Sequence, residues 1–158
     1  TDLVSTAPDH ATVEARDLAL RRPRTVQPDE CGPDGWVRTS DAPMLIWGGE
    51  SLEETMGPFL HPGPQGELIG WANMESRMAM RRPVRAGTQI QSFGATISVG
   101  DKVMHQVMWA FDLDRRDLVC TFEVVSLALD TVARRAVAIP DDLRAHVERK
   151  LHPDLRPS

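Results

Sequence analysis

The sequence has no tyrosine, and aromatic residues of all kinds make up 5% of its 158 positions. A mechanism built on a phenolic acid is therefore excluded. Cysteine is nearly as scarce. Cys31 and Cys120 are too few for a disulfide framework, and neither Cys-x-x-Cys nor paired histidines supply zinc-ligand spacing. No metal is expected, and a reducing, cytoplasmic setting is the simplest expectation. Lysine is almost missing, with two residues against sixteen arginines, and those arginines are scattered within a chain of net charge -5. That pattern lacks the basic stripe of a nucleic-acid platform. Apolar runs, such as 42–47, stay far below the ~20 residues of a membrane helix, and residues 1–12 lack the apolar segment of a secretory signal. Neither a nucleic acid nor a membrane is expected as a partner.

What is present fits one globular domain. Residues 1–16 mix Asp, Thr, Pro and Ala without a sustained period and read as a loosely held N-terminal arm, leaving 17–158 as the domain. A first edge segment runs to Val26, and 28–35 supplies Pro, Asp and Gly for a tight loop. Thr39, Ser40 and Asp41 are good helix caps, and Met44, Leu45, Leu52 and Met56 recur at helical spacing, so a helix is expected from 41 to about 56. Gly48 and Gly49 would lie inside that helix at ~1 kcal/mol each, which suggests close approach to a sheet.

After the Pro- and Gly-rich loop at 57–66 the period changes to two. Leu68, Gly70, Ala72, Met74, Met78 and Met80 share one parity, opposite Asn73, Glu75 and Arg77. Further strands are expected at 88–99, 102–113 and 118–129, joined in a meander, then a short strand at 136–139 and a helix from 140 to about 151. One helix before a long antiparallel sheet is an α+β arrangement in which the sheet curls around the helix.

Several stretches carry a family likeness: Met80-Arg81-Arg82-Pro83-Val84-Arg85-Ala86-Gly87-Thr88, Lys102-Val103-Met104-His105, Leu118-Val119-Cys120-Thr121-Phe122-Glu123 and Ala133-Arg134-Arg135. Over about 17–145 the chain resembles the hotdog-fold acyl-CoA thioesterases, in particular their 4-hydroxybenzoyl-CoA thioesterase-like branch. The resemblance implies a hotdog fold, hydrolysis of an acyl-CoA substrate to free acid and coenzyme A, no separate cofactor, and a homodimer or homotetramer with sites between protomers. In that branch a front-loop aspartate attacks the thioester or activates water. Aligning Gly35 with the family glycine puts Gly32 at the aspartate position, Trp36 at a histidine position and Arg38 at an asparagine position.

Two carboxylates are candidates to replace the missing one. Asp34 lies in the same loop, and Glu50, ahead of Glu53 and Glu54, lies on the expected helix, where other hotdog thioesterases carry theirs. The amides near Thr39 would polarise the carbonyl. Arg81, Arg82 and Arg85 match the strand end where the family meets coenzyme A phosphates, a task suited to the guanidinium fork. Trp36 and His105 complete the substrate-binding candidates. Each has a plainer reading: Pro-Asp-Gly makes turns without catalysis, helix glutamates usually face solvent, and His105 shares the parity of Val107, Trp109 and Phe111. A non-hydrolytic hotdog protein that binds an acyl thioester is therefore the alternative, motivated by Gly32. A hotdog hydratase is weaker, because the expected helix has no Asp-x-x-x-x-His pair.

Overall fold

In a computed structural model, which describes residues 7–49 and 60–157, the chain runs α1 (His10–Ala15), β1 (Arg24–Thr25), a 3-10 turn over Pro28–Glu30, α2 (Met44–Trp47), β2 (His61–Pro62), β3 (Leu68–Met80), β4 (Gln89–Val99), β5 (Val103–Asp112), β6 (Asp117–Asp130), β7 (Arg135–Ala136), α3 (Asp141–Glu148) and a last 3-10 turn over Pro153–Leu155. The sheet is antiparallel in the order β1-β4-β5-β6-β3-β2, with β7 on β6. It curls around α2, so the expected α+β architecture is present.

The three hairpin-linked strands end within two residues of their expected bounds because their turns carry strong signals. Gly100 N–H donates to Val103 O at 2.7 Å between β4 and β5. Between β5 and β6, Asp112 Oδ1 accepts from the amides of Asp114 and Arg115. A fourth strand in meander order is not found. β3 pairs with β6 along Ile69↔Asp130 to Met80↔Cys120, so 81–88 must cross the end of the sheet to reach β4. Strands lie about 4.8 Å apart, so eight residues at ~3.3 Å each suffice to cross the intervening strands.

The single apolar stripe expected on β3 is also corrected. The register shifts between Asn73 and Glu75, so Gly70 and Ala72 stand opposite Leu129 and Leu127, whereas Met78 and Met80 stand opposite Phe122 and Cys120 on the other face. A bulge inserts one residue and thereby exchanges the faces of everything beyond it. Residues 73–77 are exposed, Met74 to 64%.

Both sheet faces are covered where β4 and β5 run. On one, Val26, Cys31, Leu45 and Ile46 pack with Met108, Ala110, Cys120, Phe122 and Val124. On the other, Val13, Leu18 and Leu155 pack with Phe93, Trp109 and Phe111. The expected loose arm thus contains a docked helix: Asp9 caps α1 by accepting from Thr12 N–H at 2.8 Å, and Val13 is fully buried. Burying side chains of this size contributes about 1.5–3 kcal/mol each, enough to hold one helical turn that would not persist alone.

Of the helix expected at 41–56, the described part, 41–49, forms a single helical turn that ends at Gly48. Residues 39–43 form turns, α2 closes with Gly48 N–H donating to Met44 O at 2.8 Å, and Gly49 follows at φ +102°. Gly48 lies against the side chain of Arg24, on the edge strand β1. A Cβ there would stand 2.5 Å from Met44 O and 2.7 Å from Arg24 Nη2, so the missing side chain makes room for an arginine. Glu50, Glu53 and Glu54 lie outside the described residues.

Candidate active site

The front loop folds back on itself as a small hairpin. Cys31 and Val37 bridge, Gly32 N–H donates to Trp36 O at 2.8 Å, and Gly35 N–H donates to Gly32 O at 2.9 Å, with Gly35 at φ +79°. Pro33 and Asp34 occupy the centre of this turn, and a glycine follows where the backbone enters the left-handed region. Asp34 is exposed at the tip, and its Oδ1 accepts from Trp36 N–H at 3.1 Å, which leaves Oδ2 available. A Cβ placed on Gly32 would lie 3.1 Å from Asp34 Oδ1 and 3.9 Å from Asp34 Cγ. The Asp34 carboxylate therefore sits beside the place where a side chain at position 32 would begin.

The returning arm pairs with the segment that crosses the sheet end. Val37 N–H donates to Val84 O at 2.8 Å and Trp36 bridges Arg85, whose Cζ lies 3.8 Å from the centre of the Trp36 ring. Arg85 is exposed with its guanidinium held over the ring, an arrangement suited to an anion. Arg81 is also exposed. Arg82 is instead paired with the buried Asp112. Burial opposes the charge of Asp112, but hydrogen bonds from the Arg115 amide and Arg82 outweigh it and hold the carboxyl below its ordinary range. Of the three arginines proposed together, Arg81 and Arg85 are thus exposed and Arg82 is half-buried against Asp112.

Thr39 is exposed, and among the described residues neither its amide nor that of Ser40 donates to a backbone carbonyl. The next two amides are occupied, Asp41 N–H by Arg38 O and Ala42 N–H by Thr39 O. His105 is not brought to the loop. It shares its strand parity with Val107 and Trp109, on the face opposite Cys31 and Leu45, and its Nε2 lies 3.6 Å from Glu123 Oε2. No cluster of three or more His, Cys, Asp or Glu able to hold a metal occurs among the described residues. No helix among them is long and apolar enough to cross a membrane.

Sequence reasoning missed the scaffold beneath the loop. Arg24 donates twice to Glu30, at 2.8 Å each, and to Met44 O at 2.7 Å, while Glu30 Oε2 accepts from Gln27 N–H at 2.7 Å. The Gln27-Pro28-Asp29-Glu30 spacing is a capping-box pattern and could have placed Glu30. Nothing local marks Arg24 as its partner.

No protein-family model and no curated protein matches the chain. Solved structures do. A thioesterase-superfamily protein from Jannaschia sp. superposes with a TM-score of 0.69 at 17% identity, covering 86% of this chain and 95% of that one. A hypothetical protein from Staphylococcus aureus, solved in complex with CoA, superposes with a TM-score of 0.63 at 14% identity, covering 85% and 86%. A 12:0-ACP thioesterase from Umbellularia californica gives 0.65 at 17% identity, covering 87% of this chain and 52% of that one. At such identities the likeness concerns the backbone: the chain has the hotdog fold, shared with structures of the thioesterase superfamily.

Proposed function

We propose that the protein is an acyl-CoA thioesterase whose carboxylate is Asp34. The observation that carries this reading is the position of that carboxylate, 3.1 Å from the point where a side chain on Gly32 would start. The family aspartate is missing from position 32, and Asp34 supplies the same functional group to nearly the same space from two residues downstream. In hydrolysis, Asp34 Oδ2 takes a proton from water as the water oxygen bonds to the thioester carbon. The C–S bond then breaks, and the proton leaves with the thiolate as coenzyme A, yielding the free acid. The same carboxylate attacking directly would form a mixed anhydride that water opens to the same products. The amides at Thr39 and Ser40 are assigned to the developing oxyanion, where one well-placed donor contributes about 3 kcal/mol.

Arg85, stacked on Trp36, and the exposed Arg81 are assigned to the phosphates of coenzyme A. The CoA-bound neighbour supports that class of ligand. The site would be completed by a second copy across the outer edge of β3, in a homodimer. The two free, buried cysteines suit a reducing compartment, burial pushing the Cys120 thiol up to about 12.

A second reading, a binding protein without hydrolysis, is favoured by one observation: Asp34 already serves the turn by accepting from Trp36 N–H. Thiol release from short, branched, aromatic and long acyl-CoA esters separates the two. Asp34→Asn is expected to lower turnover at least 100-fold. In an Asp34→Ala background, which removes the atoms crowding position 32, Gly32→Asp should restore part of the activity. Full turnover by Asp34→Asn would remove the assignment, and no release by the wild type from any ester would establish the binding reading.

A further inference from the structure

Arg38 stands where the related loop carries an asparagine, and nothing in thioester chemistry calls for an arginine there. Its contacts explain it. Nε donates to Asp41 Oδ2 at 2.6 Å, Nη1 donates to Cys31 O at 2.8 Å, and Nη2 donates to Asp29 O. Its own amide donates to Glu30 O at 3.1 Å, and its carbonyl accepts from Asp41 N–H at 2.9 Å. Three guanidinium nitrogens thus tie together the outgoing arm of the hairpin (Asp29, Cys31) and the turn that follows the returning arm (Asp41). The first group carries the base of the Asp34 turn. The second carries the amides of Thr39 and Ser40, which among the described residues donate to no backbone carbonyl. Arg38 Cγ also lies 3.9 Å from the point where a Cβ on Gly32 would stand, so the stem of the side chain passes under the same turn.

We propose that Arg38 is a positioning residue that fixes the Asp34 carboxylate relative to the amides of Thr39 and Ser40. The proposal rests on the thioesterase reading for its kinetic consequence and on geometry alone for its structural one. A planar fork with donors in fixed directions can hold three acceptors in one arrangement. An ammonium on a flexible stem holds fewer and does not fix their plane. The side chain is 46% exposed, so its loss should loosen the loop without removing much packing.

The test compares wild type with Arg38→Lys, Arg38→Ala and Asp41→Asn, the last keeping both carbonyl contacts. With an accepted acyl-CoA ester, Arg38→Lys should lower kcat about 10- to 100-fold while KM changes less than about threefold, since misplacement by an ångström costs on that scale. Asp41→Asn should lose less than Arg38→Ala. Amide hydrogen exchange in 31–41 should accelerate in both Arg38 variants, with exchange in β4 to β6 unchanged. A rise in KM at unchanged kcat would overturn the proposal by making Arg38 a ligand contact, and so would unchanged exchange in 31–41. If the wild type releases no thiol from any ester, the thioesterase reading fails, and the exchange rates still decide whether Arg38 orders the turn.

Discussion

At the residue scale, the loop that carries Asp34 stands on the pair Arg24–Glu30, whose side chains are 16% and 15% exposed. Glu30 accepts from both Arg24 Nη atoms and from Gln27 N–H, and Arg24 also donates to Met44 O. A pair this enclosed differs from a surface ion pair, because removing one partner leaves the other charge buried and unmatched. Glu30→Gln is therefore expected to cost about 2 kcal/mol at pH 7. The Arg24 hydrogen bonds hold the Glu30 carboxyl below its ordinary value against the opposing effect of burial. For a carboxylate lowered on folding, the stabilisation is complete above its unfolded value of about 4.3 and disappears as pH falls through the lower folded value. Urea unfolding at pH 7 should thus separate wild type from Glu30→Gln, and the gap should narrow below about pH 4. A gap of constant size across that range would show that the charge is not what stabilises the loop.

At the element scale, the position most easily misread is Gly48. Spacing of Met44, Leu45, Leu52 and Met56 favours a continuous helix, in which Gly→Ala gains about 1 kcal/mol of propensity. The structure gives the opposite sign. The extended backbone of Gly48 follows a single helical turn, and an added Cβ would meet Met44 O at 2.5 Å and Arg24 Nη2 at 2.7 Å. Gly48→Ala is expected to lower stability by about 1–3 kcal/mol, read as a fall in Tm, because backbone and a paired guanidinium cannot both yield. The contrast shows what was legible. β4, β5 and β6 could be read because alternation and Gly-Asp or Asp-rich turns are local signals. The end of α2 could not, because it depends on an arginine twenty residues upstream. Neither the bulge in β3 nor its pairing with β6 leaves a local mark. The proposed site divides the same way: Asp34, Trp36 and Arg85 can be offered as candidates from the loop and the strand end, but the contacts of Arg38 cannot be foreseen, since its three acceptors are brought together only by the folded hairpin.

At the scale of the whole molecule, the two edges of the sheet are treated differently. The outer edge of β4 is covered by the chain itself, through β1, the Ala19↔Phe93 bridge and the Thr96↔Leu151 bridge. The outer edge of β3 is met only by β2, at Leu68 and Ile69, among the described residues. Beyond that point it runs on to Met80, with Met74 64% and Met80 43% exposed. A long edge carrying large apolar side chains invites pairing with another strand, and it has neither the lysines nor the prolines that would discourage it. A second copy related by a two-fold axis would meet it with the same antiparallel edge and bury the exposed methionines. The wild type is accordingly expected to have twice the mass of one chain by light scattering, and Met74→Lys should shift it towards a single chain with its strand circular dichroism retained. If the acyl site lies between copies, thiol release by Met74→Lys should fall at least tenfold and recover as protein concentration is raised. A single-chain wild type with full turnover would exclude both the dimer and a shared site, and would require residues 31–41 and 81–88 of one chain to enclose the substrate alone.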